Sequence, residues 1–333
     1  MPLTAVIAGI THWHAPRYVR ILRARGVHVL GSSDTRAPEG AQAAAGHELP
    51  FEPETDRMLA RWRPDIVVVL PRHDLAPAEI ATVAARGLPM LVEKPMGRNA
   101  AESRCSADAI RRAGVFASVC FPNRHLGIWE ALRELQAQDA LGTVMHAHFR
   151  TINGPPSRYL EYGVPWMLDP ATSGGGVLRN LGIHGADAAL TLAAGRPLRL
   201  VGGGTSNLGH GGVQEDFVAA ILATADGFHA TLEAGYTYAN QQEGGDYEWR
   251  IAAKGAYLHE CNGVLRVHRR GHELTQRAVP TPHVAYEHMV NAALDAFEAG
   301  AAPPSPVEDC VRAVELQDAI YAASGASAAS ASA

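Results

Sequence analysis

The chain has 333 residues, of which 47% are hydrophobic and 19% charged, a composition typical of a globular protein with room for two domains. Its net charge of −5, from 29 basic and 34 acidic residues without a basic block, argues against a nucleic-acid partner. No apolar stretch approaches the length of a membrane span, so no membrane partner is expected. The four cysteines lack metal-ligand spacing, which predicts reduced thiols, no metal site and a cytoplasmic location.

The first third of the chain alternates short apolar runs with helical patterns. Strands are predicted at "TAVIAG", "VHVLGSSD", "DIVVVLP", "PMLVE" and "VFASVC", with helices between them. Unbroken apolar strands separated by helices indicate a parallel sheet that is covered on both faces. Residues 1–121 are therefore predicted to form a doubly wound, Rossmann-type domain that binds NAD or NADP.

After residue 121 the predicted strands pair locally. Turn signals at Asp226-Gly227, Lys254-Gly255 and Arg270-Gly271 each predict a hairpin. We therefore expect an α+β domain over residues 122–323, built on a large, mainly antiparallel sheet, to which the resemblance described below assigns substrate binding and oligomerisation. The small, polar residues 324–333 predict a disordered tail.

The turn after the first strand, "AGITHWHAP", stands where a dinucleotide fold holds the diphosphate against a helix N-terminus. Gly9 matches the first glycine of GxGxxG, but Thr11 and His14 replace the second and third. The hydroxyl of Thr11 and the rings of His12 and His14 could donate to phosphate, with Trp13 in the same cofactor-binding turn. For His14, helix capping is an equal alternative.

Two residues after the second strand bear on the choice of cofactor. Asp34 follows that strand at about the spacing of the acid that binds the adenosine ribose. A carboxylate there accepts from ribose hydroxyls and repels a 2′-phosphate, which favours NAD. Arg36 could instead bind that phosphate, so NADP stays possible.

The stretch "LPMLVEKPMGRN" ends a buried strand with Glu93 and Lys94. Ligands of open parallel sheets bind beyond the carboxyl ends of the strands. A lysine placed there can hydrogen-bond a reacting oxygen and stabilise developing negative charge. Taken alone, a surface ion pair at the end of a strand is the simpler interpretation.

"EKPMG" after a buried strand, followed further along by "GGGVLRNLGIHGAD", resembles the Gfo/Idh/MocA oxidoreductase family over nearly the whole chain. The resemblance implies an NAD(P)-dependent dehydrogenase or reductase. Its substrate would be a secondary alcohol or ketone of a sugar, inositol or related polyol. It also implies a homodimer or homotetramer through the C-terminal sheet. The catalytic residues would be Lys94, beside Glu93 and the nicotinamide, and His184, which exchanges the hydroxyl proton.

The same resemblance implies further site residues. The family usually has aspartate at the position of Asn180, and asparagine keeps the hydrogen bonding but loses the charge. Asn180 and Asp187 are expected on the same helical face as His184. Softer matches add residues beside the nicotinamide and the substrate: Pro71 and Arg72 for the cofactor, and Asn123, Arg124, Tyr159 and Trp166 for the substrate.

Two alternatives keep the fold but change the function. Some relatives oxidise a sugar transiently so that a glycosidic bond can be broken, and then return the hydride. A non-catalytic NAD(P)-binding sensor is the other alternative, motivated by the altered phosphate turn and by Asn180. Retention of both Lys94 and His184 favours the enzyme.

Overall fold

The computed structural model describes residues 2–239 and 245–325. It divides into two compact units. The first contains Met1–Phe121, Tyr159–Gly174 and Met289–Val311, and the second contains Pro122–Arg158, Gly175–His288 and Arg312–Ala333. Two segments that the local sequence pattern assigned to the second domain thus group with the first unit. Most of the predicted tail, residues 326–333, lies outside the described residues.

The first unit contains the predicted parallel sheet, with the five predicted strands and a sixth, Phe51–Glu52, that was not predicted. Its strands are β1 (Thr4–Ala8), β2 (His28–Ser33), β3 (Phe51–Glu52), β4 (Ile66–Val69), β5 (Met90–Glu93) and β6 (Ala117–Cys120). Their order is β3-β2-β1-β4-β5-β6. Every residue of β4 and β5 is buried, because helices cover both faces. The order reverses between β1 and β4, and ligands bind such sheets at this point.

Helices connect these strands. They are α1 (Ala15–Ala24), α2 (Ala37–Gly46), α3 (Thr55–Trp62), α4 (Ala76–Ala85) and α5 (Ala100–Ala113). In α5 the side chain of Asn99 accepts a hydrogen bond from the backbone N–H of Glu102, which caps the N-terminus. Gly114 ends the helix in the left-handed conformation that glycine adopts most easily.

The remaining helices are α6 (Gly127–Ala137), α7 (Arg158–Glu161), α8 (Pro170–Ser173), α9 (Ile183–Ala193), α10 (Pro282–Glu298) and α11 (Val307–Ala323). In the described part of the chain, no helix combines the length and the apolar character needed to cross a bilayer.

The second unit contains an eight-stranded sheet. Its strands are β7 (Val144–Asn153), β8 (Arg199–Ser206), β9 (Phe217–Ala223), β10 (His229–Gly235), β11 (Gly245–Ala253), β12 (Ala256–Cys261), β13 (Val264–Arg269) and β14 (Thr275–Ala278). The order is β14-β13-β12-β11-β7-β10-β9-β8, and only β7 and β10 pair in parallel. The mainly antiparallel sheet and its three predicted hairpins are confirmed.

Helix α9 packs closely on this sheet at Gly185. A Cβ atom at that position would lie 3.1 Å from Leu232 and 3.3 Å from Phe149. The glycine therefore lets the helix approach the strands that carry these side chains. This contact sets the distance between the sheet and α9, the helix that carries His184.

Candidate functional site

The turn after β1 depends on Gly9. Its φ of +88° lies in the region that favours glycine, and a Cβ atom there would come within 2.1 Å of the Leu70 carbonyl oxygen. The N–H of Gly9 donates to the carbonyl of Ser33 at 2.8 Å. The glycine therefore brings the first turn against the carboxyl ends of β2 and β4.

A pocket lies at the carboxyl ends of β1, β2 and β4. Its lining includes residues that were predicted to bind the cofactor or cover the substrate: Gly9, Thr11, His12, Asp34, Pro71, Arg72 and Trp166. It also includes residues that sequence reasoning missed: Thr35, Thr55, Leu70, Leu75 and Glu79. The missed residues follow β2 and β4 or belong to α3 and α4. The rule that such sheets bind ligands at their carboxyl edge was the signal that could have found them.

Asp34 is held by donors from its own domain. Its Oδ2 accepts from the backbone N–H of Thr11 at 2.9 Å and from the Thr11 hydroxyl at 2.6 Å. Its Oδ1 accepts from the backbone N–H of Arg36 at 2.9 Å. Asp34 as a whole is 7% exposed, and these bonds fix its carboxylate just after the end of β2.

Both arginines that were considered for phosphate or nicotinamide contacts already bind protein acceptors. Arg36 donates from Nη1 to the carbonyl of Gly163 at 2.9 Å. Arg72 donates from Nε and Nη2 to the carboxylate of Asp74 at 3.0 and 2.6 Å. A role for either arginine in cofactor binding stays a prediction.

Aromatic rings cluster beside the pocket. The His12 ring stacks on Trp13, with centroids 3.9 Å apart, and Trp13 lies 5.4 Å from Tyr159 and 5.8 Å from Trp166. His73, which sequence reasoning missed, meets Trp166 edge-on at 5.0 Å. Tyr159 and Trp166 thus pack against the first turn, and their contact with a substrate stays a prediction.

Glu93 and Lys94 are buried at the carboxyl end of β5, each 3% exposed, which excludes the surface ion pair. The Oε1 atom of Glu93 lies 2.9 Å from Nδ1 of His14 and accepts from the Tyr18 hydroxyl at 3.1 Å. Its Oε2 accepts from the backbone N–H of Lys94 at 3.0 Å. His14 precedes α1 without a side-chain capping bond, so its ring supports Glu93 instead.

The charges at this point act on one another. Burial lowers the pKa of Lys94, and the neighbouring Glu93 carboxylate partly offsets that effect. Burial alone would raise the pKa of Glu93, but the bond from His14 and the positive charge of Lys94 lower it well below its usual range. Burial also lowers the pKa of His12 and His14. The site thus combines an ionised carboxylate with an amine that loses its proton more readily than an exposed lysine.

In the second unit, the segment "GGGVLRNLGIHGAD", which contains His184, begins at a turn whose backbone N–H groups are capped by a carboxylate. The carboxylate of Glu215 accepts from the backbone N–H groups of Gly176 at 3.0 Å and Leu178 at 2.9 Å. Residues Leu178–Gly182 form a π-helical turn, and α9 follows directly. The predicted placement of Asn180 and His184 on one helical face spans this turn, whose bonds join residues five apart instead of four, and it stays a prediction.

The predicted substrate residues of the second unit fall into two groups. Asn180 donates from Nδ2 to the Tyr236 hydroxyl at 2.9 Å, and His184 lies on the first turn of α9, 8% exposed. Arg124 binds Asp187 through two bonds, Nε to Oδ2 at 2.8 Å and Nη2 to Oδ1 at 2.5 Å. Asn123, next to Arg124, is buried.

The structure thus brings most of the predicted cofactor residues into one pocket and joins Glu93 with Lys94 and His14. Lys94 belongs to the first unit and His184 to the second. Their action on a common substrate stays a prediction.

Comparison with known proteins connects this architecture to one family. Residues 129–258 match the model of the GFO/IDH/MocA C-terminal domain. The chain is 33% identical over 159 residues to trans-1,2-dihydrobenzene-1,2-diol dehydrogenase of Macaca fuscata fuscata. The aligned stretch covers 47% of this chain and 45% of the relative. It is 24% identical over 203 residues to 1,5-anhydro-D-fructose reductase of Ensifer adhaerens, and this alignment covers 60% of each chain. The matches thus span about half the length of these curated relatives.

A solved structure of levoglucosan dehydrogenase, in complex with NADH and levoglucosan, superposes with a TM-score of 0.85. The two chains are 15% identical, and the match covers 98% of each. At this identity the likeness establishes the fold. The comparisons thus show that residues 129–258 are similar to the C-terminal domain of the Gfo/Idh/MocA family.

Proposed function

We propose that the protein is an NAD(P)-dependent oxidoreductase that transfers hydride between nicotinamide and a secondary alcohol or ketone of a sugar, inositol or related polyol. The observation that carries the proposal is Lys94, a lysine buried beside an ionised carboxylate at the carboxyl edge of a doubly wound sheet. Relatives named as a dehydrogenase and a reductase support it.

The first unit has residues that fit a dinucleotide. Asp34 can accept from the adenosine ribose hydroxyls, and the turn at Gly9 leads to the N-terminus of α1, which favours a diphosphate. Pro71 and Arg72 belong to the same pocket lining. When bound, nicotinamide supplies or accepts the hydride.

The protein's own residues handle the substrate oxygen and its proton. Lys94 donates a hydrogen bond to the reacting oxygen and stabilises negative charge that develops there. Glu93 counteracts the effect of burial and so favours the charged form of Lys94. His184 accepts the hydroxyl proton during oxidation and returns it during reduction. Asn180 binds a substrate oxygen through its amide.

The proposal includes a homodimer or homotetramer through the C-terminal sheet, and a cytoplasmic location. Light scattering coupled to size-exclusion chromatography measures the first. A monomer at micromolar concentration would contradict that part of the proposal without affecting the chemistry.

A substrate panel tests the activity. Sugars, anhydrosugars, inositols and vicinal diols are supplied with NAD⁺ or NADP⁺, and the matching ketones with the reduced cofactors, while nicotinamide absorbance is followed. We expect turnover with a secondary alcohol or its ketone. Saturable cofactor binding without turnover across the panel would refute the proposal. Cleaved sugar without net reduced cofactor would identify transient oxidation instead.

A further inference from the structure

The pocket contains a second carboxyl group besides Asp34. Glu79 lies in the first turn of α4, lines the same pocket and is half-buried. Its Oε2 accepts from the Thr55 hydroxyl at 2.6 Å. The Thr55 oxygen in turn lies 3.0 Å from Oγ of Ser33, the last residue of β2. Two hydroxyls therefore connect Glu79 to the strand end that carries Asp34.

Both carboxylates lack a cationic partner among residues 2–239 and 245–325. Asp34 accepts from Thr11 and from a backbone N–H, and Glu79 accepts only from Thr55. Arg72 lines the same pocket, but its guanidinium binds Asp74. The pocket wall is therefore acidic.

The charge of Asp34 acts on Glu79. Burial raises the pKa of Glu79, and the negative charge of Asp34 raises it further, while the bond from Thr55 acts in the opposite direction. An additional anion in the same pocket would experience both carboxylates. A hydroxyl or an amine, in contrast, would find acceptors, because no hydrogen bond from the described residues reaches Oε1 of Glu79.

We propose that Glu79 is a second selectivity residue of this pocket, which acts with Asp34 to favour the free ribose of NAD over the 2′-phosphate of NADP. The inference rests on the proposed function, because it requires a dinucleotide in this pocket. The physical basis is repulsion: a phosphate dianion placed near two carboxylates in a half-buried site is disfavoured by both.

The test uses probes that carry only the adenosine half of the cofactors. Affinities for ADP-ribose and 2′-phospho-ADP-ribose are measured by calorimetry at pH 8 and constant ionic strength. The wild type should prefer ADP-ribose. Glu79→Gln removes the charge but keeps an acceptor for Thr55, and should reduce this preference by at least about five-fold.

Glu39→Gln is the matched control. Glu39 is an exposed carboxylate in the first turn of α2 and does not line the pocket, so this variant makes the same change in net charge. Its preference should equal that of the wild type. A preference that is unchanged in Glu79→Gln, or reduced equally in both variants, would overturn the inference.

The results separate the two proposals. A wild type that binds neither probe contradicts the dinucleotide site and therefore the proposed function. A wild type that binds both probes equally well leaves the proposed function intact and refutes the selectivity assigned to Glu79.

Discussion

Burial lowers the pKa of Lys94, and the neighbouring Glu93 carboxylate raises it. If its amine contacts the reacting oxygen, Lys94→Ala should lower kcat by at least about 100-fold, because removing a positioned proton donor commonly costs that much. Cofactor affinity should change by no more than a few-fold. Steady-state kinetics and fluorescence titration with reduced cofactor measure the two quantities.

The control for this variant is Lys254→Ala, since Lys94 and Lys254 are the only lysines in the chain. Lys254 is exposed at the turn between β11 and β12. Its replacement should leave kcat unchanged. Normal turnover in Lys94→Ala would remove the catalytic assignment.

The presence of only two lysines also makes the protonation of Lys94 directly measurable. With selectively ¹³C-labelled lysine, the protein should show two Cε signals, which the two alanine variants assign. The Lys94 signal should titrate at a lower pH than an ordinary lysine because burial lowers its pKa. Glu93→Gln should move that titration lower still, because it removes the charge that offsets burial. Titration of Lys94 at the ordinary pH of an exposed lysine would contradict this account.

At the level of elements, strand β12 places a carboxyl group against a helix. Glu260 occupies a buried position of the strand, and its Oε2 accepts from the backbone N–H of Ile128 in the first turn of α6 at 2.6 Å. Burial raises the pKa of Glu260 to about 7. Because the folded-state pKa exceeds the unfolded one, the stabilising contribution is complete at low pH and is lost as the pH rises through about 7.

We therefore expect the wild type to lose on the order of 2 kcal/mol of unfolding free energy from this group between pH 5 and pH 8. Glu260→Gln keeps an acceptor for Ile128 and should flatten that dependence, as measured by urea denaturation at each pH. Glu273→Gln, at an exposed carboxylate, is the control and should behave as the wild type. Equal slopes in wild type and Glu260→Gln would disprove the assignment.

Prediction from the sequence succeeded where the signal was local. The apolar runs of β4 and β5 and the glycine turn between β9 and β10 each specify structure within a few residues. The π-helical turn at Leu178–Gly182 and the parallel pairing of β7 with β10 were missed. The pairing of β7 with β10 joins segments that are distant in sequence, so the local hydrophobic pattern cannot predict it.

On the scale of the whole molecule, the grouping of 159–174 and 289–311 with the first unit depends on contacts remote in sequence. These contacts place Trp166 beside the first turn. The sequence therefore indicated Trp166 as a candidate site residue but did not predict its location next to that turn. The sequence analysis also missed Glu79, because the proposed selectivity role depends on its proximity to Asp34 and Thr55, which are distant in sequence.

Ligand binding should stabilise the whole protein by linkage. ADP-ribose at 100 times its Kd should raise the free energy of unfolding by about 2.7 kcal/mol if it binds only the folded state. Calorimetric melting at several ligand concentrations measures this, with Asp34→Ala as the variant in which the shift should shrink. A calorimetric Kd without any shift in melting would contradict specific binding to the folded state.

The two bonds from Thr11 to Asp34 have a consequence for the heat of association. An incoming ribose hydroxyl that binds Oδ2 of Asp34 competes with the Thr11 hydroxyl there, so one contact is exchanged for another. Such an exchange releases little enthalpy, and the gain must come from water set free and apolar area covered. Thr11→Val removes the competing hydroxyl and should make the enthalpy of ADP-ribose association more negative, whereas an unaltered enthalpy would show that Thr11 stays in place when the ligand arrives.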